Sequence, residues 1–577
     1  MANKKSLLGG INVKVQGMSG FDKSRYNAFT APLGAIVPMC KQLLLPGKAK
    51  LSVKISAQLP PLASDAFLRT HLKVEAFLVP LRLCYGGFMS WFSGEPITTS
   101  STTTGSSTLS RAQLPNLKVT GTYVDGSGVN HPYSQSVYNR LFGPHTLMDY
   151  FGVKYPMTSG SVVAQSWVDP QIVGRLNYTY FNIFPFVAYQ LCYHHWYRNK
   201  LVERPLFCPP DFSNPSFASA GAGWLPYVSE STTHSYTQFL DVISHNDIGL
   251  LNGNLLTLRQ RNYGYDYFTT ALPSAQDGSP MSVDTSAGSF TISSLRQANA
   301  LQHFAEVNQV SGPDYIQTLR ARYNRAPSSA VASKPILIGS ADFPMFTSGV
   351  EQSAPFDSSS QQTSNPFEGL GARFGRAHAE GSDFVCETDV DEPSYLMVLC
   401  SLVPEANYAV GVAHDMRLFT QPGSIVDLPC AELERIGMEP VYTEELSVDD
   451  SDQGLDHRAV FGYQPRYMWH KAGAQNEVHG LFRLGSTLQS FIPQRLGISG
   501  VMPTQISTSF LKVDPSDLDN VTAVAGAISQ YGVMIDSAIS LFVSEPLGES
   551  VMPSLVDPGA EHGDSVYLRR GGISVND

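Results

Sequence analysis

Adjacent histidines at positions 194 and 195 form the pair of side chains in this sequence that most suggests a metal site. Neighbouring residues on a helix point about 100° apart, so the rings of His194 and His195 cannot easily share one ion. No cysteine or carboxylate stands near them at the spacing that a zinc site requires. We therefore interpret both histidines as packing or interface residues and predict no metal site.

A run of acidic residues lies between positions 444 and 452, where the sequence is EELSVDDSD. Its carboxylates do not follow the order of ligands in an EF-hand loop. A solvated loop is the favoured interpretation, and a calcium site at a contact between subunits is the alternative.

Glycines at positions 369, 371 and 375, in the segment GLGARFG, resemble a phosphate-holding turn only loosely. The third glycine comes one position late and no strand clearly precedes the turn, so a flexible surface loop is predicted. The sequence also has no Walker A, H-E-x-x-H or G-x-S-x-G motif. We predict neither catalytic residues nor a cofactor, and therefore not an enzyme.

Basic and aromatic residues near both ends of the chain have the chemistry to contact phosphates and bases. They are Lys4, Lys5, Lys23, Arg25, Tyr26, Arg569 and Arg570. Ordinary solvated termini are the competing interpretation, because 50 acidic residues outnumber 39 basic ones and leave a net charge of −11. That balance argues against a chain whose main task is to wrap nucleic acid with a basic arm.

The two histidines lie within residues 182–205 (NIFPFVAYQLCYHHWYRNKLVERP), whose pattern predicts a helix with one aromatic face. Pro185 suits the first turn of a helix, where its missing N–H would have no partner. Aromatic side chains then recur at steps of three or four residues, which places them on one face. This face comprises Phe186, Tyr189, Tyr193, Trp196 and Tyr197.

The end of the predicted helix is basic. Arg198, Lys200 and Arg204 fall in its last turns, where cations suit the helix dipole, and Pro205 ends it. We expect the aromatic face to pack on the rest of the domain or on a neighbouring subunit, with the cations free to pair with acidic loops or DNA. The residues expected at a packing surface or interface are Phe186, Tyr189, Tyr193, Trp196 and Arg198.

Most of the remaining chain has the pattern of strands joined by very long connections. Residues 51–59 alternate apolar and polar side chains, which predicts a half-buried strand. Residues 71–83 form a second strand, in which Pro80 predicts a sheet edge or a bulge. Further strands are predicted at 395–403, 459–469, 479–484 and 531–543, a helix at 295–325, and exposed polar loops at 98–110 and 352–365.

Composition favours a loop-rich β protein whose surface is largely covered by other subunits. Of the 577 residues, 42% are hydrophobic and only 15% are charged, well below the usual quarter. The seven scattered cysteines indicate reduced thiols in a cytoplasm rather than a disulfide framework. We find neither a signal peptide nor a transmembrane run.

These features predict a mainly β fold, an eight-stranded jelly-roll barrel or sandwich with long loop and short helical insertions. We expect one domain over residues 1–577, with an N-terminal arm at 1–45. The jelly-roll strands are expected within about 50–83 and 390–545, and the large insertions at 93–390.

Four sequence blocks resemble a known family. The first block, within residues 185–198, consists of PF at 185–186, AY at 188–189 and WYR at 196–198. The other three are DYFTTALP at 266–273, LRQA at 295–298 and VFGYQPRY at 460–467. In this order they resemble the major capsid proteins of microviruses, the small icosahedral single-stranded DNA bacteriophages, and most closely those of the gokushoviruses. The resemblance covers nearly the whole chain.

The resemblance implies a viral jelly roll that self-assembles into a small icosahedral shell around circular single-stranded DNA, without catalytic activity. It implies a virion protein that is assembled in the bacterial host cytoplasm and does not insert into membranes. The implied partners are copies of itself, DNA bound without sequence specificity, scaffolding, pilot and small basic DNA-binding proteins, and a host surface receptor contacted by exposed loops.

One departure from the family concerns the three-fold surface protrusion that some members carry as a long insertion between the second and third blocks. Here only residues 274–294 separate those blocks. We therefore predict a small protrusion, or one built from residues 98–110 or 208–253.

A carbohydrate-binding or carbohydrate-active β-sandwich is the rival function, because abundant aromatic residues and polar loops would also suit it. Such a protein needs two carboxylates at glycosidase spacing or a flat aromatic platform. The sequence assigns neither.

Overall fold

The computed structural model describes a two-sheet sandwich and the segments that pack on it. The described residues are 18–85, 88–93, 96–100, 107–111, 116–120, 122–124, 130–132, 142–154, 157–158, 161–162, 178–203, 228–229, 232–233, 256–275, 296, 300, 334–351, 373–409, 411–416, 438–446, 459–471, 476–495, 505–524 and 527–547.

Within the ranges just given, ten strands build the sandwich. In chain order they are β1 (Ser19–Asp22), β2 (Arg25–Ala31), β3 (Val37–Leu44), β4 (Gly47–Gln58), β5 (Thr70–Pro80), β6 (Ile336–Pro344), β7 (Phe346–Glu351), β8 (Arg373–Val390), β9 (Ser394–Pro404) and β10 (Val533–Glu545). The larger sheet has the order β1-β10-β4-β8-β7, with β2 also pairing with β10, and the smaller sheet has the order β6-β5-β9-β3. Neighbouring strands are antiparallel in both sheets.

The chain passes repeatedly from one sheet to the other, which is the connectivity of a jelly roll. The predicted mainly β jelly-roll fold is therefore confirmed. The larger sheet contains six strands. Two of them, β1 and β2, follow each other closely along the chain, are separated by a bend, and both pair with β10. At this bend the Ser24 hydroxyl accepts a hydrogen bond from the Leu541 N–H at 3.1 Å, in place of a backbone carbonyl.

Strands β4 and β10 lie side by side at the centre of the larger sheet. Their side chains alternate in burial, as the period of two in a strand requires. Leu51, Val53 and Ile55 face the core, whereas Lys50 and Lys54 face outward. The strands predicted around residues 51–59 and 531–543 are thus confirmed.

The smaller sheet is covered on both faces, so that every residue of β9 is buried. Leu396, Val398 and Cys400 belong to the core between the sheets. Met397 and Leu399 belong to a second core on the opposite face. The continuous apolar run predicted as a buried strand at 395–403 is confirmed, because a strand with two buried faces has no polar side to alternate with.

Pro80 does not mark a sheet edge. Strand β5 lies between β6 and β9, and Pro80 is its last residue, followed directly by a helical turn at Leu81–Cys84. Its missing N–H therefore falls where the ladder ends, and the prediction of an edge or bulge was wrong.

Two further local predictions were wrong. Residues 480–482 form a 3-10 turn rather than a strand, and Gly375 lies inside β8 rather than in a loop, with a bridge to Leu62. Gly369 and Gly371 lie outside the described residues. The strand predicted at 459–469 is confirmed over Val460–Pro465, which pairs with Met438–Tyr442.

Several expected segments differ in extent. From Ser19 onward the expected N-terminal arm is strand, and β6, β7 and β8 lie within the region expected as insertion. Part of the predicted loop at 98–110 belongs to a hairpin of Pro96–Ser100 with Ser107–Arg111. In the predicted helix 295–325 the structure describes only residues 296 and 300, which are helical, and the predicted loop 352–365 lies outside the described residues.

The connections carry short elements. The helices and helical turns are Leu81–Cys84, Phe88–Ser93, Leu147–Tyr150, Phe184–Cys192, Tyr193–Tyr197, His414–Met416, Thr443–Glu445, Met468–Lys471, Gly480–Phe482, Gln489–Phe491, Thr508–Leu511, Pro515–Val521 and Ala527–Tyr531. The paired short strands, besides the two hairpins already given, are Asn116–Thr120 with Tyr178–Asn182, Thr122–Val124 with Asn130–Pro132, Met157–Thr158 with Ser161–Val162, Val228–Ser229 with Thr232–Thr233, and Asn407–Tyr408 with Asn476–Glu477. Among the described residues, no helix has the length and apolar character needed to cross a membrane.

Candidate functional site

The aromatic helix, which we define as Phe184–Cys192 continued by a π-helical turn at Tyr193–Tyr197, is shorter than the sequence predicts. The Asn182 carboxamide oxygen accepts the Phe184 N–H at 3.0 Å and so satisfies a donor of the first turn. The π turn closes with the Arg198 N–H bonded to the Tyr193 carbonyl at 3.0 Å, and Arg198 itself is extended.

The predicted placement of the cations in the last helical turns was therefore wrong. Arg198 and Lys200 follow the end of the helix, and Arg204 and Pro205 lie outside the described residues. Arg198 donates to the Glu203 carbonyl at 2.7 Å, so it is held by its own loop.

The aromatic face packs on the smaller sheet. Tyr189 is fully buried, donates to the Ile36 carbonyl at 2.8 Å and accepts the Arg259 N–H at 2.9 Å. Phe186 meets Phe151 edge to face, with ring centroids 4.9 Å apart. These contacts make Phe186 and Tyr189 packing residues within the chain.

The far end of the aromatic helix is tied to a segment more than 300 residues later. The Tyr193 hydroxyl is hydrogen-bonded to both Glu203 and Lys512, and the Lys512 ammonium lies 3.3 Å from the Glu203 carboxylate. Burial raises the pKa of Tyr193 and lowers the pKa of Lys512. This network anchors the helix to the sandwich.

Trp196 and the two histidines complete this end of the helix. Trp196 is 37% exposed, and its indole N–H donates to the Pro335 carbonyl at 2.9 Å. The His194 and His195 rings meet edge to face at 5.0 Å. Burial, the largest cause, together with nearby cations lowers the pKa of His194 to about 3, so this ring is neutral at physiological pH. No group of three or more metal-binding side chains occurs in the part of the chain that the structure describes.

Two of the cations predicted to contact DNA, Lys23 and Arg25, have protein partners. Lys23 pairs with the buried Glu545 carboxylate at 2.8 Å, and Arg25 donates to the Gln42 side chain at 2.9 Å. Tyr26, by contrast, is 88% exposed. Lys4, Lys5, Arg569 and Arg570 lie outside the described residues.

Tyr26 belongs to a surface that sequence reasoning missed, the lysine–aromatic face. We define it as the outward side chains of Tyr26, Lys50, Lys54, Phe384 and Phe542 on the larger sheet. Strand register places Tyr26 in line with Ala538 and Lys54, and Phe542 beside Lys50. The Lys50 ammonium lies over the Phe384 ring at 5.4 Å. The signals in the sequence were the alternation of lysines along β4 and Tyr26 itself, which was predicted as a possible contact for DNA.

A buried histidine clamp is a second feature that the sequence did not reveal. The His414 ring nitrogens lie 2.9 Å from a Glu439 oxygen and 3.1 Å from a Glu445 oxygen, and its side chain is 12% exposed. Trp469 packs against the ring at 5.0 Å. Burial is the largest single influence on the pKa of His414 and lowers it, but the two glutamates together raise it to about 9.

The histidine clamp changes the interpretation of the acidic run. Glu445, expected in a solvated loop, is 4% exposed and lies in the helical turn Thr443–Glu445. Its other oxygen accepts the Tyr442 N–H at 3.1 Å. The loop prediction was therefore wrong for Glu445, and residues 447–452 lie outside the described residues.

Comparison with known proteins places the fold in a biological context. Residues 279–547, just under half of the chain, match the family described as capsid protein (F protein). The chain is also 26% identical over 241 residues to capsid protein VP1 of Chlamydia phage 1, a match that covers 38% of this chain and 38% of that protein. The resemblance to microvirus major capsid proteins is confirmed: residues 279–547 of this jelly-roll chain are similar to the capsid protein (F protein) family, and part of the chain is similar to a phage capsid protein.

Proposed function

We propose that this protein is a structural major capsid subunit that self-assembles into a small icosahedral shell enclosing circular single-stranded DNA. The observation that carries the proposal is the match to the capsid protein family on a chain folded as a jelly roll. We also propose that residues 1–577 act as one capsid domain, located in the virion after assembly in the host cytoplasm.

Exposed apolar side chains support self-association. Phe67 and Leu481 are 62% and 61% exposed, and Phe67 lies 6.5 Å from the ring centroids of Phe482 and Phe491. Apolar clusters of this kind gain free energy when a protein surface covers them. Repeated over a closed point group, such contacts build a shell.

The net charge of −11 shapes the proposed contacts with the genome. A subunit of this charge repels phosphates on average, so DNA contact is local and not specific for sequence. Scaffolding, pilot and small basic DNA-binding viral proteins, with polyamines, are proposed to complete assembly and neutralise the DNA. A host receptor contacted by exposed loops is part of the same proposal.

Sedimentation and electron microscopy of the purified full chain test this function. We expect closed particles of uniform size, formed by the chain alone or with the other proteins of the virus, and DNA within them that resists nuclease. A chain that stays monomeric under all these conditions and binds or hydrolyses glycans would instead identify the rival β-sandwich function.

A further inference from the structure

One side of the larger sheet is uncovered by the described parts of the chain. The smaller sheet has an apolar core on each face, whereas the larger sheet packs on the core only through its inner face. On its outer face, Phe384 is 51% exposed and Phe542 is 43% exposed, in addition to Tyr26 at 88%. Three large aromatic side chains on one open sheet face are costly to leave in water without a partner.

We propose that the lysine–aromatic face binds single-stranded nucleic acid, with Tyr26, Phe542 and Phe384 stacking on bases and Lys50 and Lys54 contacting phosphates. This inference rests on the proposed function, which supplies the single-stranded DNA. It assigns to the genome a particular surface of the chain.

The spacing of the aromatic rings fits a single strand of nucleic acid that runs across the β-strands of the larger sheet. Tyr26 lies on β2 and Phe384 on β8, with β10 and β4 between them. At about 4.8 Å between neighbouring strands, the two rings stand on strands roughly 14 Å apart. That width accommodates about two or three stacked bases, the number that the sheet of a common RNA-binding module stacks.

A depression of about 230 Å³ adjoins this path and is lined in part by Lys48, Lys50, Glu387 and Phe542. It lies at the end of the face where β1 meets β10. A depression beside a stacking ring gives a base or sugar a place that a flat sheet would not offer.

The charges on the outer face favour single-stranded nucleic acid only around Lys50 and Lys54. Among the described residues, no carboxylate lies within 4 Å of the Lys50 or Lys54 ammonium, whereas Lys48 is paired with Asp389 at 3.8 Å. Asp22 and Glu387 lie in the same cross-strand row as Lys50, and Asp389 lies in the next row outward. Asp536 and Glu380 lie in the row beyond Lys54.

These carboxylates repel phosphates, so they favour a path along the rows of Ser52 and Lys54, which hold Phe384 and Tyr26. Lys50 reaches this path with its ammonium over the Phe384 ring. The Asp22 carboxylate also accepts the Ser24 N–H at 2.9 Å, which fixes it at the rim. Stacking, rather than net charge, then supplies most of the affinity, and sequence preference is weak because every base offers a π face.

Fluorescence anisotropy of labelled (dT)12 with the unassembled full-length chain tests the proposal. We expect Tyr26→Ala and Phe384→Ala each to weaken binding about tenfold, because a stacked base is lost. Tyr26→Trp keeps a stacking ring and should restore binding. The double variant Lys50→Gln, Lys54→Gln should reduce the slope of log K against log salt by about 1.4, since each phosphate contact on a single strand contributes about 0.7.

Tyr265→Ala is the matched control, because Tyr265 is 94% exposed and lies outside the lysine–aromatic face. It should leave (dT)12 affinity unchanged. All these positions are exposed, so thermal unfolding should confirm that each variant folds.

The proposal is overturned if the face variants bind (dT)12 as the parent chain does, or if Tyr265→Ala weakens binding equally. Variants that disturb particle formation at unchanged (dT)12 affinity would assign the face to a protein contact and would also overturn it. A chain that forms particles but never binds (dT)12 refutes this inference alone, whereas a chain that binds (dT)12 through this face but forms no particles refutes the capsid function alone.

Discussion

At the scale of single residues, His414 is the side chain whose surroundings most alter its chemistry. A buried cation is costly unless it is paired, and here two carboxylates contact the two ring nitrogens. The glutamates come from different elements, Glu439 from the strand Met438–Tyr442 and Glu445 from the following helical turn. Protonated His414 therefore fastens the loop at 411–416 to this hairpin.

The histidine clamp should make stability depend on pH. The pKa of His414 rises from 6.5 to about 9 in the folded chain, so its stabilising contribution is complete below about pH 6.5 and is lost as pH rises through 9. Glu439 acts in the opposite direction: burial, the largest cause, raises its pKa, but His414 and the Tyr467 N–H lower it overall. Its contribution is therefore lost as pH falls through its lowered folded pKa.

We predict that His414→Gln lowers the free energy of unfolding by up to about 3 kcal/mol at pH 6 and by much less at pH 10. Urea unfolding at the two pH values measures the difference. His71→Gln is the control, because the His71 and Asp342 side chains are 39% and 50% exposed and such pairs contribute little. An equal loss at pH 6 and pH 10 for His414→Gln would show that packing, not charge, holds the clamp.

At the scale of elements, the approach of the segment around Leu62 to β8 depends on a glycine. Gly375 exchanges backbone hydrogen bonds with Leu62 at 2.9 and 3.3 Å, which brings a third segment against β8. A Cβ at Gly375 would lie 1.9 Å from the Ser64 carbonyl oxygen, far inside contact distance. Gly349, directly opposite in the ladder, has no atom closer than 3.6 Å to such a Cβ.

We predict that Gly375→Ala destabilises the chain by about 1–3 kcal/mol, because backbone must move to admit the methyl group. Thermal or urea unfolding measures the change. Gly349→Ala in the same ladder should be neutral or slightly stabilising, since alanine is less flexible in the unfolded chain. Equal destabilisation by both substitutions would contradict the close approach of the Leu62 segment.

At the scale of the whole molecule, the described connections cover both faces of the smaller sheet but only the inner face of the larger one. The 255-residue connection between β5 and β6, residues 81–335, contributes the aromatic helix that covers the smaller sheet. Copies of this chain carry a net charge of −11 and must approach one another to form a shell. Their repulsion opposes the burial of apolar side chains such as Phe67 and Leu481.

We predict that particle formation by the purified chain increases as salt rises from 0.01 M to 0.15 M. Over this range the screening length falls from about 30 Å to about 8 Å, which weakens repulsion between copies while apolar burial persists. Light scattering with sedimentation follows the particle fraction. Particles that dissociate as salt is raised would indicate that ion pairs, not apolar contacts, hold the shell.

The sequence alone determined features whose cause is local. Alternation predicted β4 and β10, a continuous apolar run predicted the doubly covered strand β9, and aromatic spacing predicted the helix on which Phe186 and Tyr189 lie. These patterns repeat with the period of the element that they form, so they can be recognised within a dozen residues.

Tertiary structure decided what depends on distant neighbours. It placed Pro80 at the end of an inner strand and joined His414 to glutamates 25 and 31 residues away. It also made a glycine necessary at position 375, because the Leu62 segment approaches closely there. It also decided which sheet face the described residues leave uncovered, and so where Tyr26 meets the proposed partner. Burial and charge pairing are set by whatever packs across an element, and no local period in the sequence records that.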